Sequence, residues 1–172
     1  MTEKGGIKIK VYRIIKDEKG VALAWLAVSL IGVMLMMAFM LEGSRMLYFR
    51  HELQAIADAA SLAGASQTRA DPIVEYDEDF GETVFIDYRI VIDPYFAAQE
   101  ALSAYHLNKL ELLPDWGETK GFERFQSYVI DEDQYYAEIE GWIDLFFMDR
   151  IVGLENSKIP IRVRATSKII ER

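Results

Sequence analysis

An uninterrupted apolar run limits what this chain can fold into more than any other feature. Residues 20–41 read GVALAWLAVSLIGVMLMMAFML, which is 22 residues without a charged side chain. As an α-helix the run is about 33 Å long, and the hydrocarbon core of a bilayer is about 30 Å thick. A soluble domain of this size would have difficulty burying such a helix on all sides. The run therefore predicts a transmembrane helix over residues 20–41.

The residues after the run predict that it is kept as an anchor. A secretory signal peptide has a shorter apolar core and ends at a cleavage site of small residues. Here the run is followed directly by Glu42, Gly43, Ser44 and Arg45. We therefore expect an uncleaved, single-pass membrane protein.

Charge is distributed unevenly on the two sides of the predicted span. Residues 1–19 carry six basic and three acidic side chains, a net charge of +3, whereas residues 42–172 carry 13 basic and 25 acidic side chains, a net charge of −12. Basic residues close to a span favour the cytoplasmic side of the membrane. We therefore expect a basic cytoplasmic tail at residues 1–19 and an acidic extracytoplasmic domain at residues 68–172, held in the cell membrane.

The helix is predicted to continue outside the membrane over residues 42–67. Gly43 weakens a helix by only about 1 kcal/mol and does not end it. Beyond it, apolar residues recur at intervals of three and four and form one face: Phe49, Leu53, Ile56, Ala60 and Ala63. Residues 20–67 are thus expected to form one helix on the order of 70 Å long. Its apolar face needs a surface to pack on, either in the chain's own domain or in neighbouring copies.

The remainder of the chain reads as a small α+β domain. The acid-rich residues 68–82, with Pro72 and Gly81, predict a loop. Residues 83–92 alternate and predict a strand. A helix is predicted to follow Asp93 as its N-cap, with Pro94 in its first turn and with Phe96, Leu102 and Leu110 on its apolar side.

Three further strands are predicted, at residues 122–131, 134–147 and 158–170, with a connector at residues 148–156. The first two read as a hairpin, so the sheet is expected to be antiparallel. Residues 83–172 are few for an independent core. We therefore expect a pilin-like layout, in which a helix packs on an antiparallel sheet and the outer half of the long helix completes the core.

A search for catalytic chemistry favours no enzyme and no cofactor. The chain has no cysteine, which excludes a disulfide scaffold and a thiol nucleophile, and its acidity argues against a nucleic-acid partner. His51 and His106 are the two histidines, and neither belongs to a metal-binding or nucleophile motif. Among the acidic residues, Asp77 and Asp79 are the candidates for binding a cation, although their spacing is not that of a calcium loop.

Polar residues next to the span are candidates for assembly contacts. Glu42 follows the apolar run directly, at a depth where a lone carboxylate is costly unless it is hydrated or paired. Arg45 lies three residues further on, at a spacing that allows a helical ion pair. Asp58 stands on the outer helix and is the second candidate for a specific polar contact.

A family resemblance rests on this same stretch. Its elements are Lys19–Gly20 before the span, then Glu42, Gly43 and Arg45, and an L-Q-x-x-A-D-A-A-x-L-A-x-A run from Leu53 to Ala65. Residues 19–66 thereby resemble the N-terminal module of the TadE/TadG-like proteins of Flp (tight adherence) pilus assembly. The resemblance also implies a candidate processing site at Gly20, although Trp25 stands at the fifth position after it, where pilin families carry a Glu.

The resemblance implies a structural protein of pilus or secretion-system assembly, either a minor pilin-like subunit or a scaffold. Its partners would be the lipid bilayer, other subunits of the system and copies of itself, through helix–helix packing. The alternative is a membrane-tethered extracytoplasmic module that binds a ligand, a cation or the wall. The large members of the family carry a metal-binding D-x-S-x-S motif, which is absent from this sequence.

Overall fold

A computed structural model describes residues 18–116, 119–146 and 158–169. Helix α1 spans Glu18–Ala65, strands β1 and β2 span Thr68–Asp77 and Glu82–Ile92, and helix α2 spans Pro94–Trp116. Strands β3, β4 and β5 span Lys120–Asp131, Gln134–Asp144 and Lys158–Lys168. The chain divides into two compact units, residues 1–44 and residues 45–172. The predicted α+β layout, with a long apolar N-terminal helix, is confirmed.

Helix α1 continues without a break through Gly43, as the sequence predicts. A Cβ atom added at Gly43 would meet no other atom within 4 Å, so no tertiary contact requires glycine there. Ser44 donates a hydrogen bond from Oγ to the carbonyl of Met40 at 2.8 Å, which keeps this hydroxyl satisfied within the helix.

The strands form two separate antiparallel sheets. Among the described residues, strands β1 and β2 pair with each other alone, from Thr68 opposite Ile92 to Asp77 opposite Glu82, and form a two-stranded ribbon. Strands β3, β4 and β5 form a three-stranded sheet in that order. The predicted connector at residues 148–156 lies outside the described residues.

The prediction of a loop over residues 68–82 is wrong, because Thr68–Asp77 is strand β1. The turn is confined to residues 78–81, where Gly81 takes a positive φ of 66° and its N–H donates to the carbonyl of Asp77 at 2.8 Å. Pro72 does not prevent pairing, since each strand of a two-stranded ribbon has an open edge where no backbone donor is needed. The acidic composition concealed an alternation of apolar residues at Ala70, Pro72, Val74 and Tyr76.

The core of the second unit lies between the outer half of α1 and one face of the three-stranded sheet. Strand β4 alternates buried and half-buried residues along its whole length, because its odd-numbered side chains face the helix. Five members of the helix side of this core are at most 2% exposed: Phe49, Leu53, Ile56, Ala57 and Ala60. The sheet side is formed by Tyr135, Ala137, Ile139, Ile143, Ile161, Val163 and Ala165.

Glycines allow the helix and the sheet to approach closely. A Cβ atom at Gly64 of α1 would overlap the ring of Tyr135. On the sheet side, a Cβ atom at Gly141 would lie 3.0 Å from the Phe49 ring. Tyr135 is fully buried and donates a hydrogen bond from its hydroxyl to Ser127 Oγ at 3.0 Å. The fit of this aromatic ring against a bare helix backbone sets the spacing of the two layers.

Three polar contacts fasten the helix to the sheet at its borders. Lys120 Nζ lies 3.2 Å from the Glu52 carboxylate, and both side chains are largely covered. Gln54 donates to the backbone carbonyl of Arg164 at 3.0 Å, and the hydroxyls of Ser61 and Ser167 are 2.7 Å apart. These bonds satisfy polar groups that the packing would otherwise leave partly buried without partners.

Helix α2 packs on strand β3. Asp93 is its N-cap, as predicted, and its Oδ1 accepts the N–H groups of Tyr95 at 3.0 Å and Phe96 at 3.2 Å. Tyr105 is buried and stacks on Phe125 at a centroid distance of 4.3 Å.

The apolar side predicted for α2 is wrong. Phe96, Leu102 and Leu110 are exposed, and the buried face is formed by Ala97, Ala101 and Tyr105. The aromatic rings of β3 need helix residues of small volume beside them, so the sheet selects the alanine face rather than the bulkier one.

The opposite face of the three-stranded sheet carries a layer of charged and aromatic side chains, which we call the sheet outer face: Tyr128, Tyr136, Glu138, Glu140, Trp142, Arg162, Arg164 and Thr166. The guanidinium of Arg162 contacts Glu140 at 3.1 Å and Glu138 at 3.4 Å, and that of Arg164 contacts Glu138 at 2.9 Å. Hydrogen bonds from Tyr136 and then from Arg164 hold the pKa of the Glu138 carboxyl below its usual value.

We expect Gly64→Ala to destabilise the second unit by about 1–3 kcal/mol, because the added methyl group overlaps the Tyr135 ring, although alanine is the better helix former. Gly43→Ala is the matched control in the same helix, and it should leave the melting temperature unchanged or slightly raised. Thermal unfolding of the detergent-solubilised full chain, followed by near-UV circular dichroism, measures both. Equal melting temperatures for the two variants would contradict the packing described here.

We expect the hydrogen bond from Tyr136 to Glu138, together with the Glu138 ion pairs, to make the stability of the fold depend on pH. A carboxyl with a lowered folded-state pKa stabilises the fold above its usual value of 4.5, and this contribution is lost as the pH falls through the lowered value. Glu138→Gln should therefore melt earlier than the wild type at pH 7 and lose less stability between pH 7 and pH 3. Glu123→Gln, at an exposed site of β3, is the control and should follow the wild type. Parallel melting curves for Glu138→Gln and the wild type would refute the assignment.

Candidate functional site

The first unit presents an apolar helix surface that no described residue covers. From Val21 to Leu41 every residue is exposed except Ala38, which is half-buried. The exposed side chains point in all directions around the helix and include Trp25, Leu26, Met34, Phe39 and Met40. A helix that is apolar on all sides is stable only in lipid or against other apolar surfaces.

Within the described residues, the segment Gly20–Ala65 is the one helix that is long and apolar enough to cross a membrane. None of its most apolar window is buried, whereas the central helix of a soluble core would be largely covered. The chain therefore has the layout of a single-pass membrane protein, with one apolar N-terminal helix.

The polar residues predicted at the end of the span differ in exposure. The Glu42 side chain is only 3% exposed, and Arg45 is half-buried. A buried carboxylate is a costly feature that a fold keeps only where it is satisfied. Gly20, the candidate processing site, lies within helix α1.

The predicted helix-packing residues are occupied inside the chain's own second unit. Phe49, Leu53, Ile56 and Ala60 contact the sheet, and Ala63 is half-buried at the border of the same face. Asp58 is exposed, and its carboxylate accepts a hydrogen bond from Gln54 at 2.9 Å. Of the two partner surfaces that the sequence allows for this face, the structure places the chain's own sheet against it.

The candidate cation ligands lie at the turn of the ribbon. Asp77 Oδ1 accepts the backbone N–H of Asp79 at 2.9 Å and that of Phe80 at 3.4 Å, so this carboxylate organises the turn. Across residues 18–116, 119–146 and 158–169, no three acidic or histidine side chains are grouped as metal ligands would be. Cation binding by Asp77 and Asp79 stays a prediction.

Sequence reasoning missed the exposed apolar surface of the β1–β2 ribbon. Val74, Tyr76, Phe85, Tyr88 and Ile90 are each between 47% and 62% exposed. The alternation within residues 70–76 was the signal that could have revealed it, but the neighbouring acids led to a loop assignment.

Comparisons with known proteins bear on the N-terminal segment. No curated protein and no solved structure matches this chain. The family model described as "Putative Flp pilus-assembly TadE/G-like" matches residues 20–67, which cover the apolar span and the outer part of helix α1. The match confirms the resemblance seen at Glu42, Gly43, Arg45 and the Leu53–Ala65 run. Residues 20–67 of this chain are therefore similar to the TadE/G-like family of Flp pilus assembly.

Proposed function

We propose that this protein is a membrane-anchored structural subunit of an Flp pilus or a related secretion system, acting as a minor pilin-like subunit or as an assembly scaffold. The observation that carries the proposal is the exposed apolar span joined to the family match over residues 20–67. The span supplies both the membrane anchor and a surface for packing against the helices of other subunits.

The two segments of helix α1 pack on different surfaces, and this supports the proposed role. The face from Phe49 to Ala60 is already used by the chain's own sheet. Association through helices therefore falls to residues 20–41, where apolar side chains surround the helix and where Gly32 has open space around it. Small residues in a span allow helices to approach closely in lipid.

Glu42 is proposed to act on this assembly from inside its own chain, because its side chain is only 3% exposed and is not available for contact with another subunit. Its loss is expected to disturb helix α1 at the end of the span, since a buried carboxylate is kept only where it is satisfied. The basic residues before the span favour an N-terminus on the cytoplasmic side and a second unit outside the cell membrane.

The proposed role is structural and not enzymatic. His51 and His106, the two histidines of the sequence, are both exposed, and they lie on different helices. His106 lies beside the Tyr105 ring at a centroid distance of 5.3 Å, which is a packing contact.

Because the sequence has no cysteine, single cysteines introduced along residues 22–40 test the helix association cleanly. We expect oxidative crosslinking in intact cells to rise and fall with a period of 3.5–3.6 residues, since one face of a packed helix meets its neighbour. Cysteine at the exposed Gln99 of helix α2 is the control for random collision.

Two results would contradict the proposal together. One is a crosslinking yield along the span no higher than that of the Gln99 control. The other is an unchanged number of surface filaments after deletion of the gene. Glu42→Gln should lower the yield at the best span position severalfold, while Glu75→Gln in the ribbon should not change it.

A further inference from the structure

The exposed side of helix α1 changes in chemistry along the first turns after the span. Leu47 and Tyr48 are 59% and 63% exposed, although the next residue, Phe49, is fully buried against the sheet. Arg50 follows and is also exposed, and the exposed acidic residue Asp58 lies about two turns further on. With increasing distance from the span, the exposed groups are therefore apolar and aromatic first, then cationic, then acidic.

This order matches the polarity of a bilayer surface. Aromatic side chains that carry a polar group are enriched at the level of the lipid headgroups, where they bridge hydrocarbon and water. Arginine binds phosphate with its guanidinium group while its aliphatic stem lies along apolar surface. Single exposed apolar side chains are common on soluble proteins, so exposure alone identifies no partner. The distance of these residues from the span does.

The helix limits how far these residues lie from the hydrocarbon of the membrane. Leu41 is the last residue of the apolar run, and α1 is helical from Glu18 to Ala65. Tyr48 follows Leu41 by a rise of about 10 Å along the helix, and any tilt of the helix lowers its height above the hydrocarbon. The headgroup layer of one leaflet is about 5–8 Å thick. The Tyr48 backbone thus lies at or within the outer border of that layer.

Side chains on a helix reach back across the remaining distance. The Cα–Cβ bonds of a helix tilt toward its N-terminus, which here is the direction of the span. This tilt brings Leu47 and Tyr48 into the headgroup layer, and the long side chain of Arg50 reaches the same level from about 14 Å above Leu41. Leu62 is also exposed, at 66%, but it lies about 32 Å along the helix from Leu41. It stands well outside the headgroup layer.

The exposed charge next to the span is cationic. Residues 42–52 carry two acidic and two basic side chains, but both acidic side chains are covered. Glu42 is 3% exposed, and the Glu52 side chain is 11% exposed and lies 3.2 Å from Lys120 Nζ. Arg50, in contrast, is exposed. In a chain whose residues 42–172 carry a net charge of −12, this stretch therefore presents the charge that lipid phosphates attract.

Tyr48 is held in place by the start of the sheet. The Lys120 ammonium, at the first residue of β3, lies 5.3 Å from the centroid of the Tyr48 ring. A cation over the face of an aromatic ring is an attractive contact, and it restricts the ring to one side of the helix. The ring is positioned by this contact and not by the core, so most of its surface stays available for a partner.

We propose that Leu47, Tyr48 and Arg50 contact the headgroups of the bilayer, with the Arg50 guanidinium binding lipid phosphate. The contact deepens the proposed function and rests on it, since it requires residues 20–41 to span the membrane. It gives the chain a second point of attachment, at the start of the second unit. Movement of this part of the second unit away from the membrane is thereby restricted.

Single cysteines in the full chain test the contact, because the sequence contains no cysteine. Leu47→Cys and Tyr48→Cys are labelled with an environment-sensitive fluorophore and reconstituted at low density in phosphatidylcholine vesicles. A fraction of the lipid carries a nitroxide quencher on its headgroup. Leu62→Cys is the matched control, since it replaces the same residue type at similar exposure on the same helix. We expect quenching at positions 47 and 48 to exceed that at position 62 about threefold or more.

Two outcomes of this measurement would overturn the proposal. Equal quenching at positions 47 and 62 would show that the start of the second unit does not contact lipid. A label at position 47 with the emission of a water-shielded fluorophore, but without quenching by the headgroup nitroxide, would show that protein covers this surface.

A charge variant tests the role of Arg50. Adding Arg50→Glu to the labelled Leu47→Cys chain should lower the quenching at position 47 about twofold, because a carboxylate repels the lipid phosphates. Arg124→Glu makes the same charge change at an exposed position of β3 and should leave the quenching unchanged. Unchanged quenching with Arg50→Glu would overturn the phosphate contact.

A label in the middle of the span separates failure of this inference from failure of the proposed function. Val28→Cys is examined in vesicles whose lipids carry the nitroxide on the acyl chain. Strong quenching at position 28 without headgroup quenching at position 47 refutes the surface contact alone. Absence of quenching at position 28 refutes the membrane span, on which the proposed function also depends.

Discussion

The contact between the outer half of helix α1 and the inner face of the three-stranded sheet is the interaction on which the rest of the second unit depends. A three-stranded sheet has two faces and too few residues to cover either by itself. The side chains of Phe49, Leu53 and Ile56 supply the missing layer, and the bare backbone at Gly64 lets the Tyr135 ring close it. With one face covered, the other remains free for the charged layer of Glu138 and Arg164. The two halves of this helix therefore have different surroundings. The first half is exposed and apolar, and the second half is buried against protein on one side.

This use of the helix changes which surfaces are available for assembly. The face that the periodicity places on Phe49, Leu53 and Ala60 is consumed within the chain. The surfaces that remain open include the span over residues 20–41, the exposed side of helix α2, the apolar side of the β1–β2 ribbon and the sheet outer face. These surfaces differ in chemistry, because the span is purely apolar, the ribbon is apolar with acidic surroundings, and the sheet outer face carries aromatic side chains and Arg–Glu ion pairs. Because these surfaces differ in chemistry, the span and the second unit can make separate contacts in one assembly without competing for the same residues.

Much of the fold could be predicted from local patterns. The continuous helix through Gly43, the Asp93 N-cap and the alternation in β4 are all local signals, and each is confirmed. Two assignments failed for physical reasons that are not local. Residues 68–77 form a strand because residues 82–92 pair with them. The composition of one segment does not show which other segment will pair with it. Helix α2 buries Ala97 and Ala101 in place of Phe96 and Leu102 because the rings of β3 already fill the space beside it.

The sequence by itself determined the apolar span, its helical extension and the similarity of residues 20–67 to the TadE/G-like family, since each depends on hydrophobicity and spacing along one stretch of chain. Only the tertiary structure decided what the outer helix packs on and which side of the ribbon is apolar. Packing depends on the volumes that meet at Gly64 and Tyr135. The apolar side of the ribbon depends on a one-residue shift opposite Ile73 and Val74, and a shift of one residue reverses every side chain beyond it. Such choices depend on the register between distant segments, which no single segment encodes.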